Sequence, residues 1–256
     1  MMADVNRFKA ALAAGQPQIG LWVALASANV AELLGHCGYD WLLIDGEHAP
    51  NDLPLMQAQL QAMQAGGSHA VVRIPVGEVW MVKQALDIGA QTILVPMVDT
   101  AAEAAEMARA MRYPPAGIRG MGAALARASR FGMDTDYVTT ANGQVCLLVQ
   151  LESRKALENL DAICAVDGVD GVFIGPADLS ADMGFPGNSG APQVQAAIAD
   201  AMTRIVASGK AAGILVGGAE AGQRAVAQGA TFVAIGSDVG VLRQGAQALR
   251  AAMDAT

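Results

Sequence analysis

Short aliphatic runs alternate along the chain with longer, alanine-rich stretches of helical character. The runs Ile19–Leu25, Tyr39–Ile44, Ala70–Ile74, Thr92–Met97, Val145–Leu151, Gly171–Ile174, Ala212–Val216 and Thr231–Ile235 predict eight strands. Helices such as Asp52–Ala65 and Pro192–Ala207 are predicted between them, so that no strand lacks a following helix. Eight such units in this length favour a closed barrel over an open sheet, because closure removes both edges and buries every strand. The predicted fold is therefore α/β, a (β/α)8 TIM barrel filling residues 1–256 as a single domain, with an additional N-terminal helix over Asp4–Ala14. A final helix, Val239–Ala255, carries an apolar stripe that includes Val241, Leu242 and Leu249. Either terminal helix is free to serve assembly rather than the barrel. The connection Tyr113–Tyr137, with two prolines, four glycines and Arg119, Arg127 and Arg130, is longer than ordinary loops and is expected to act as a lid.

Composition narrows the class. The chain is 53% hydrophobic but only 4% aromatic, so the interior is expected to be mainly Ala, Val, Leu, Ile and Met. A net charge of −8 repels polyanions, and no Lys/Arg cluster with interleaved aromatics is present, which argues against nucleic acid as a partner. Cys37, Cys146 and Cys164 have neither zinc-site nor disulfide spacing and read as reduced thiols. The uncharged stretch Ala10–Ala31 is interrupted by Gly15, Gln16, Pro17 and Gln18, so neither an export signal nor a membrane segment is expected, and the predicted location is cytoplasmic.

In such a barrel the active site lies at the carboxyl ends of the strands. There the second strand runs into Asp45-Gly46-Glu47-His48, the third ends in Arg73, the fifth in Gln150 and Glu152, and the sixth in Gly175-Pro176-Ala177-Asp178. Glu152 and Asp178 are candidate ligands for a hard divalent cation, Mg²⁺ or Mn²⁺, with Co²⁺ or Zn²⁺ as substitutes. Equally, both would serve as caps of the helices that follow. His48, close to the carboxylates of Asp45 and Glu47, is the candidate general base. His36, inside a helix, and His69, at the start of the third strand, face elsewhere. Arg73 is placed to meet a carboxylate or enolate oxygen, or else to pair with a neighbouring acid.

Lys9, Lys83, Lys155 and Lys210 fall in helices or at strand starts, which leaves no lysine for a Schiff base and points to a metal for enolate stabilisation. Gly217-Gly218 and Gly236-Ser237, after the last two strands, fit either a phosphate-binding helix start or simple tight turns.

With these residues in place, the chain resembles the HpcH/HpaI class II pyruvate aldolases over nearly its whole length. The resemblance is carried by Asp40-Trp41-Leu42-Leu43-Ile44-Asp45-Gly46-Glu47-His48-Ala49-Pro50, by Arg73-Ile74-Pro75, by Tyr113-Pro114-Pro115 through Arg119-Gly120, and by Phe173-Ile174-Gly175-Pro176-Ala177-Asp178-Leu179-Ser180. It implies that Glu152 and Asp178 bind the metal, His48 accepts the proton and Arg73 stabilises the transition state. Asp45 and Glu47 would order water at the metal, and Gln150 and Ala177 would contact substrate. Trp22, Gly175, Pro176 and Leu215 complete the candidate substrate-binding set, Leu215 being ordinary core on the other reading. Asp87, in Ala85-Leu86-Asp87-Ile88-Gly89, would raise the basicity of the histidine; at the far end of its own barrel, it reaches only a neighbouring subunit's site. The resemblance further implies a homohexamer that exchanges its last helix. One departure is Ala191-Pro192, where relatives often carry His-Pro.

The expected reaction is reversible cleavage of a 4-hydroxy-2-oxo acid to pyruvate or hydroxypyruvate and an aldehyde. The alternatives are an acyl-CoA lyase or decarboxylase built on the same enolate, for which no basic CoA pocket is evident, or a non-catalytic sugar-phosphate-binding barrel using Gly217 and Gly236.

Overall fold

The computed structural model describes residues 3–254. Eight parallel strands close into a barrel in sequence order: β1 (Gln18–Val23), β2 (Trp41–Asp45), β3 (His69–Arg73), β4 (Thr92–Val95), β5 (Cys146–Leu151), β6 (Gly171–Ile174), β7 (Ala211–Leu215) and β8 (Phe232–Ser237). The eight predicted strands are all present, and the helix Pro192–Ala207 has its predicted bounds. The fourth strand is shorter than expected: it stops at Val95, and Met97 beyond Pro96 turns into the left-handed region with φ +54°. The final helix runs Asp238–Ala252; Ala255, the predicted end, lies outside the described residues.

Two layers of core follow from the period-two alternation of the strands. Outward-facing residues such as Leu21, Val23, Leu42, Ile44, Val72 and Val149 pack against the surrounding helices in an aliphatic layer. The interior is mainly aliphatic as expected, but the lumen gathers aromatic rings. Phe8, Trp22, Trp41, Phe173 and Phe232, five of the eleven aromatic residues, pack ring on ring with centroids 5.4–6.2 Å apart. Such rings each bury a large apolar area and pack in tilted or edge-on pairs. Gly20 and Gly213 make this possible, since a Cβ on either would strike the ring of Trp41 or Phe232.

The N-terminal helix Arg7–Ala13 packs one face into the barrel. Its Phe8 and Leu12 enter the lumen cluster, Phe8 stacks on His69 at 5.3 Å, and Lys9 Nζ donates to the Val145 carbonyl. It therefore plugs the amino-terminal end, which leaves the carboxyl end as the open mouth. The final helix is the reverse case: Val239, Val241, Leu242 and Leu249 are all exposed.

The Tyr113–Tyr137 connection is not a lid on its own mouth. It follows the helix Ala101–Ala110 and leads into β5, so it lies at the amino ends of the strands, where Arg127, Arg130, Phe131 and Tyr137 border a cleft of about 450 Å³ with His69 and Gln91. An α-to-β connection in a barrel can lie only at that end.

Candidate active site

Register builds the mouth. Asp45 and Arg73 are partners in the β2–β3 pairing, so their side chains emerge side by side at the top of the lumen. Arg73 Nε and Nη2 donate to the two Asp45 carboxylate oxygens at 2.9 and 2.7 Å, a bidentate pair with both residues buried. Nη1 lies 2.7 Å from Glu47 Oε2. The guanidinium sits 5.3 Å from the Trp22 ring centroid, so Trp22, itself buried, forms the floor under Arg73. The Nη1 contact is an ion pair without a hydrogen bond, since Glu47 Oε2 has no hydrogen-bond partner, so only Nε and Nη2 are committed, both to Asp45.

The local chain explains the turn that follows. Asp45 Oδ1 accepts the backbone N–H groups of Glu47 (3.0 Å) and His48 (3.3 Å), folding Gly46 to His48 back over the carboxylate. Gly46 N–H donates to the Arg73 carbonyl at 2.8 Å, an approach that a Cβ would block. Burial pushes the Asp45 carboxyl upward, but Arg73 and the two backbone N–H groups outweigh it and hold the group below its ordinary range. Asp45 thus does not touch the His48 ring, contrary to one expected way of orienting it. Glu47 does approach it: His48 Nε2 lies 3.8 Å from Glu47 Oε2, and the ring is otherwise largely open to solvent.

Opposite, Glu152 is buried at the carboxyl end of β5. Its Oε1 accepts the Met97 backbone N–H at 3.0 Å and its Oε2 accepts Gln150 Nε2 at 2.6 Å. Gly175 sits directly against this carboxylate, and a Cβ there would collide with Glu152 and approach Gln150. Burial raises the Glu152 carboxyl to about 7, with Asp178 and Glu47 adding to the rise. Burial likewise raises Glu47, and Asp45 and Asp178 add to it against the pull of Arg73.

The helix-start reading is excluded for Glu152 but not for Asp178. The helix Arg154–Glu158 is capped by Ser153, whose side chain accepts from Ala156 N, so Glu152 has no capping duty. Asp178 stands in the first turn of Pro176–Asp182, a helix whose start has no side-chain cap bond.

Four carboxylates, Asp45, Glu47, Glu152 and Asp178, therefore surround one arginine and one histidine, an excess of negative charge that fits a cation. The donors are oxygens throughout, as a hard divalent ion prefers. Among the described residues no group of three or more His, Cys, Asp and Glu side chains could hold an ion. An ion at this mouth would draw on fewer than three such side chains, and Gln150 Oε1, buried without a partner, is a further oxygen at the same place.

The remaining candidates divide. Gly175, Pro176 and Ala177 form the entry to the helix beside Glu152, and Leu215 ends β7 packed on the lumen cluster. Asp87 is elsewhere: it ends the helix Val79–Asp87, and its Oδ1 takes Arg119 Nη2 at 2.7 Å. Arg119 is wholly buried, 4.4 Å from the Tyr113 ring centroid and 5.6 Å from that of Tyr137. At the alternative phosphate site, Glu220 already occupies the first turn of the helix Ala219–Ala227, which opposes an anion there.

Two contacts escaped sequence reasoning: the Met97 N–H on Glu152, and the Arg119 clamp on Asp87. Pro96 was the available signal for the first, since proline ends a central strand. The second arises between segments 32 residues apart and left no local pattern.

Residues 18–245 match the family model described as HpcH/HpaI aldolase/citrate lyase. The chain is 57% identical to a hydroxypyruvate/pyruvate aldolase of Agrobacterium fabrum over 93% of this chain and 90% of that protein. It is 56% identical to a 4-hydroxy-2-oxo-heptane-1,7-dioate aldolase of Escherichia coli over 96% and 94%. A crystal structure of an HpcH/HpaI aldolase/citrate lyase family protein from Burkholderia cenocepacia superposes with a TM-score of 0.93 at 40% identity, covering 97% of this chain and all of that one. The chain belongs to the HpcH/HpaI aldolase/citrate lyase family.

Proposed function

We propose that this protein, acting as one domain, is a class II aldolase that reversibly cleaves 4-hydroxy-2-oxo acids to pyruvate or hydroxypyruvate and an aldehyde. The observation that carries the reading is the mouth itself, where four carboxylates face one arginine and one histidine with no lysine among them. Family membership implies a divalent metal. We assign it to Glu152 and Asp178, with Mg²⁺ or Mn²⁺ favoured by the all-oxygen donor set. When bound, the ion supplies Lewis-acid stabilisation of negative charge on the 2-oxo group.

The chain's own residues do the rest. His48 takes the C3 proton on an imidazole nitrogen, and Glu47, 3.8 Å from Nε2, offsets the positive charge that results. Arg73 is held rigid by Asp45, Glu47 and Trp22, and its uncommitted N–H groups are placed to meet an enolate oxygen without reorganising. Gln150, Gly175, Pro176, Ala177, Leu215 and Trp22 are the proposed lining of the substrate space. Asp87 and the exposed final helix are assigned to a hexamer, in which Asp87 serves a neighbouring subunit. The cytoplasm is the proposed location, in keeping with three unpaired cysteines.

Deuterium exchange into the pyruvate methyl group, followed by proton NMR, tests the half-reaction without knowledge of the aldehyde. Exchange is expected with Mg²⁺ or Mn²⁺ and is expected to vanish with chelator, with His48→Ala and with Glu152→Ala. Folded, metal-loaded enzyme that exchanges neither pyruvate nor hydroxypyruvate would refute the mechanism.

A further inference from the structure

We propose that Met97 is a positioning residue whose left-handed backbone, rather than its side chain, fixes Glu152 for the metal; this rests on the assignment of Glu152 as a ligand. Beyond β4, Met97 N–H donates to Glu152 Oε1 at 3.0 Å, and the next amide, Val98 N–H, donates to the Gln150 carbonyl at 3.0 Å. In an extended strand, successive N–H groups point to opposite sides. Two adjacent amides can both turn toward β5 only if the chain leaves the extended region between them. The φ of +54° at Met97 accomplishes this, sending one N–H to the Glu152 carboxylate and the next to the Gln150 carbonyl.

Methionine has no intrinsic reason to adopt that conformation, which glycine and asparagine tolerate far better. Its side chain does not hold it there either, being 54% exposed. The conformation is maintained by what its amide binds. The consequence falls on Glu152. One carboxylate oxygen is tied to Met97 and the other to Gln150 Nε2 at 2.6 Å, while Gly175 leaves the space in which the group sits. Each oxygen keeps lone-pair capacity for a cation, yet the carboxylate can no longer rotate. Outer contacts of this kind set the orientation of a metal ligand, and their loss ordinarily weakens affinity 10- to 100-fold.

The experiment is calorimetric titration of the metal-free full-length protein with Mn²⁺, repeated with Mg²⁺, so that activity plays no part. Met97→Gly and Met97→Asn keep both the N–H and the left-handed backbone and are expected to bind within about threefold of wild type. Met97→Val and Met97→Ile place a β-branched residue at positive φ and are expected to weaken binding about 10- to 100-fold, with Met97→Ala in between. Circular dichroism and melting verify folding; should the β-branched variants fail to fold, the ordering of Gly, Asn and Ala against wild type still decides. Equal affinity across the series would overturn the proposal, and so would losses in Gly and Asn matching those in Val, which would locate the effect in the side chain. Glu152→Gln separates the two levels: unchanged affinity in that variant removes the ligand assignment, whereas lost affinity there with full affinity in Met97→Ile removes only the positioning role.

Discussion

Replacing Asp45 by asparagine is the sharpest test of how the mouth is held together. The substitution keeps the shape of the side chain and an oxygen for the Glu47 and His48 amides, but removes the charge that faces Arg73 through two bonds of 2.9 and 2.7 Å. Breaking a buried ion pair from one side typically costs about 3–5 kcal/mol, because the remaining charge is stranded. Here Glu47 still faces Nη1 at 2.7 Å, so Arg73 is not left alone, and the expected loss is reduced to about 2–3 kcal/mol. The assay is urea unfolding of metal-free protein at pH 8, followed by the fluorescence of Trp22 under Arg73 and Trp41 in the lumen. The Asp45 carboxyl is held below its ordinary value, so its contribution is fully present above the unfolded pKa near 4 and is lost as pH falls through the lower folded value. Wild type and variant should therefore converge only in strong acid. A loss under about 0.5 kcal/mol at pH 8, no larger than for an exposed pair, would refute the argument that burial makes this pair costly to break.

Further outcomes follow from other parts of the structure. Gly175→Ala should weaken Mn²⁺ binding about 10-fold or more, because the new Cβ displaces Glu152; affinity unchanged in calorimetry would show that the carboxylate has room to spare. Burial holds the His69 imidazole down to about 4, whereas the unfolded chain takes up its proton near 6.5, so stability should decline by up to about 3 kcal/mol as pH falls from 6.5 to 4. His69→Phe, which keeps the stack on Phe8, should flatten that part of the stability–pH curve, and a curve of unaltered slope would discount His69 as the cause. Arg119→Met should cost about 1–3 kcal/mol in a denaturation curve through the lost pair with Asp87 and the lost stacking on Tyr113 and Tyr137; an unchanged midpoint would mean that the clamp is incidental.

The chain alone determined the architecture. Its alternation of short aliphatic runs with helical segments admits few ways of burying eight strands, and a closed barrel is the one that leaves no edge. That closure also determined where chemistry collects, so Asp45, Glu47, His48, Arg73, Glu152 and Asp178 could be picked out as the residues next after each run. What the linear pattern does not contain is the relation between strands. Whether Arg73 faces solvent or is gripped by Asp45 and Glu47 depends on the β2–β3 register, and whether Glu152 caps a helix or is left at the mouth depends on Ser153 taking the cap. The concentration of scarce aromatics in the lumen, the displacement of the 113–137 segment to the closed end and the turn that brings Met97 N–H to Glu152 are likewise tertiary outcomes. Each rests on contacts between segments far apart in the chain, whose geometry exists only once the barrel has closed.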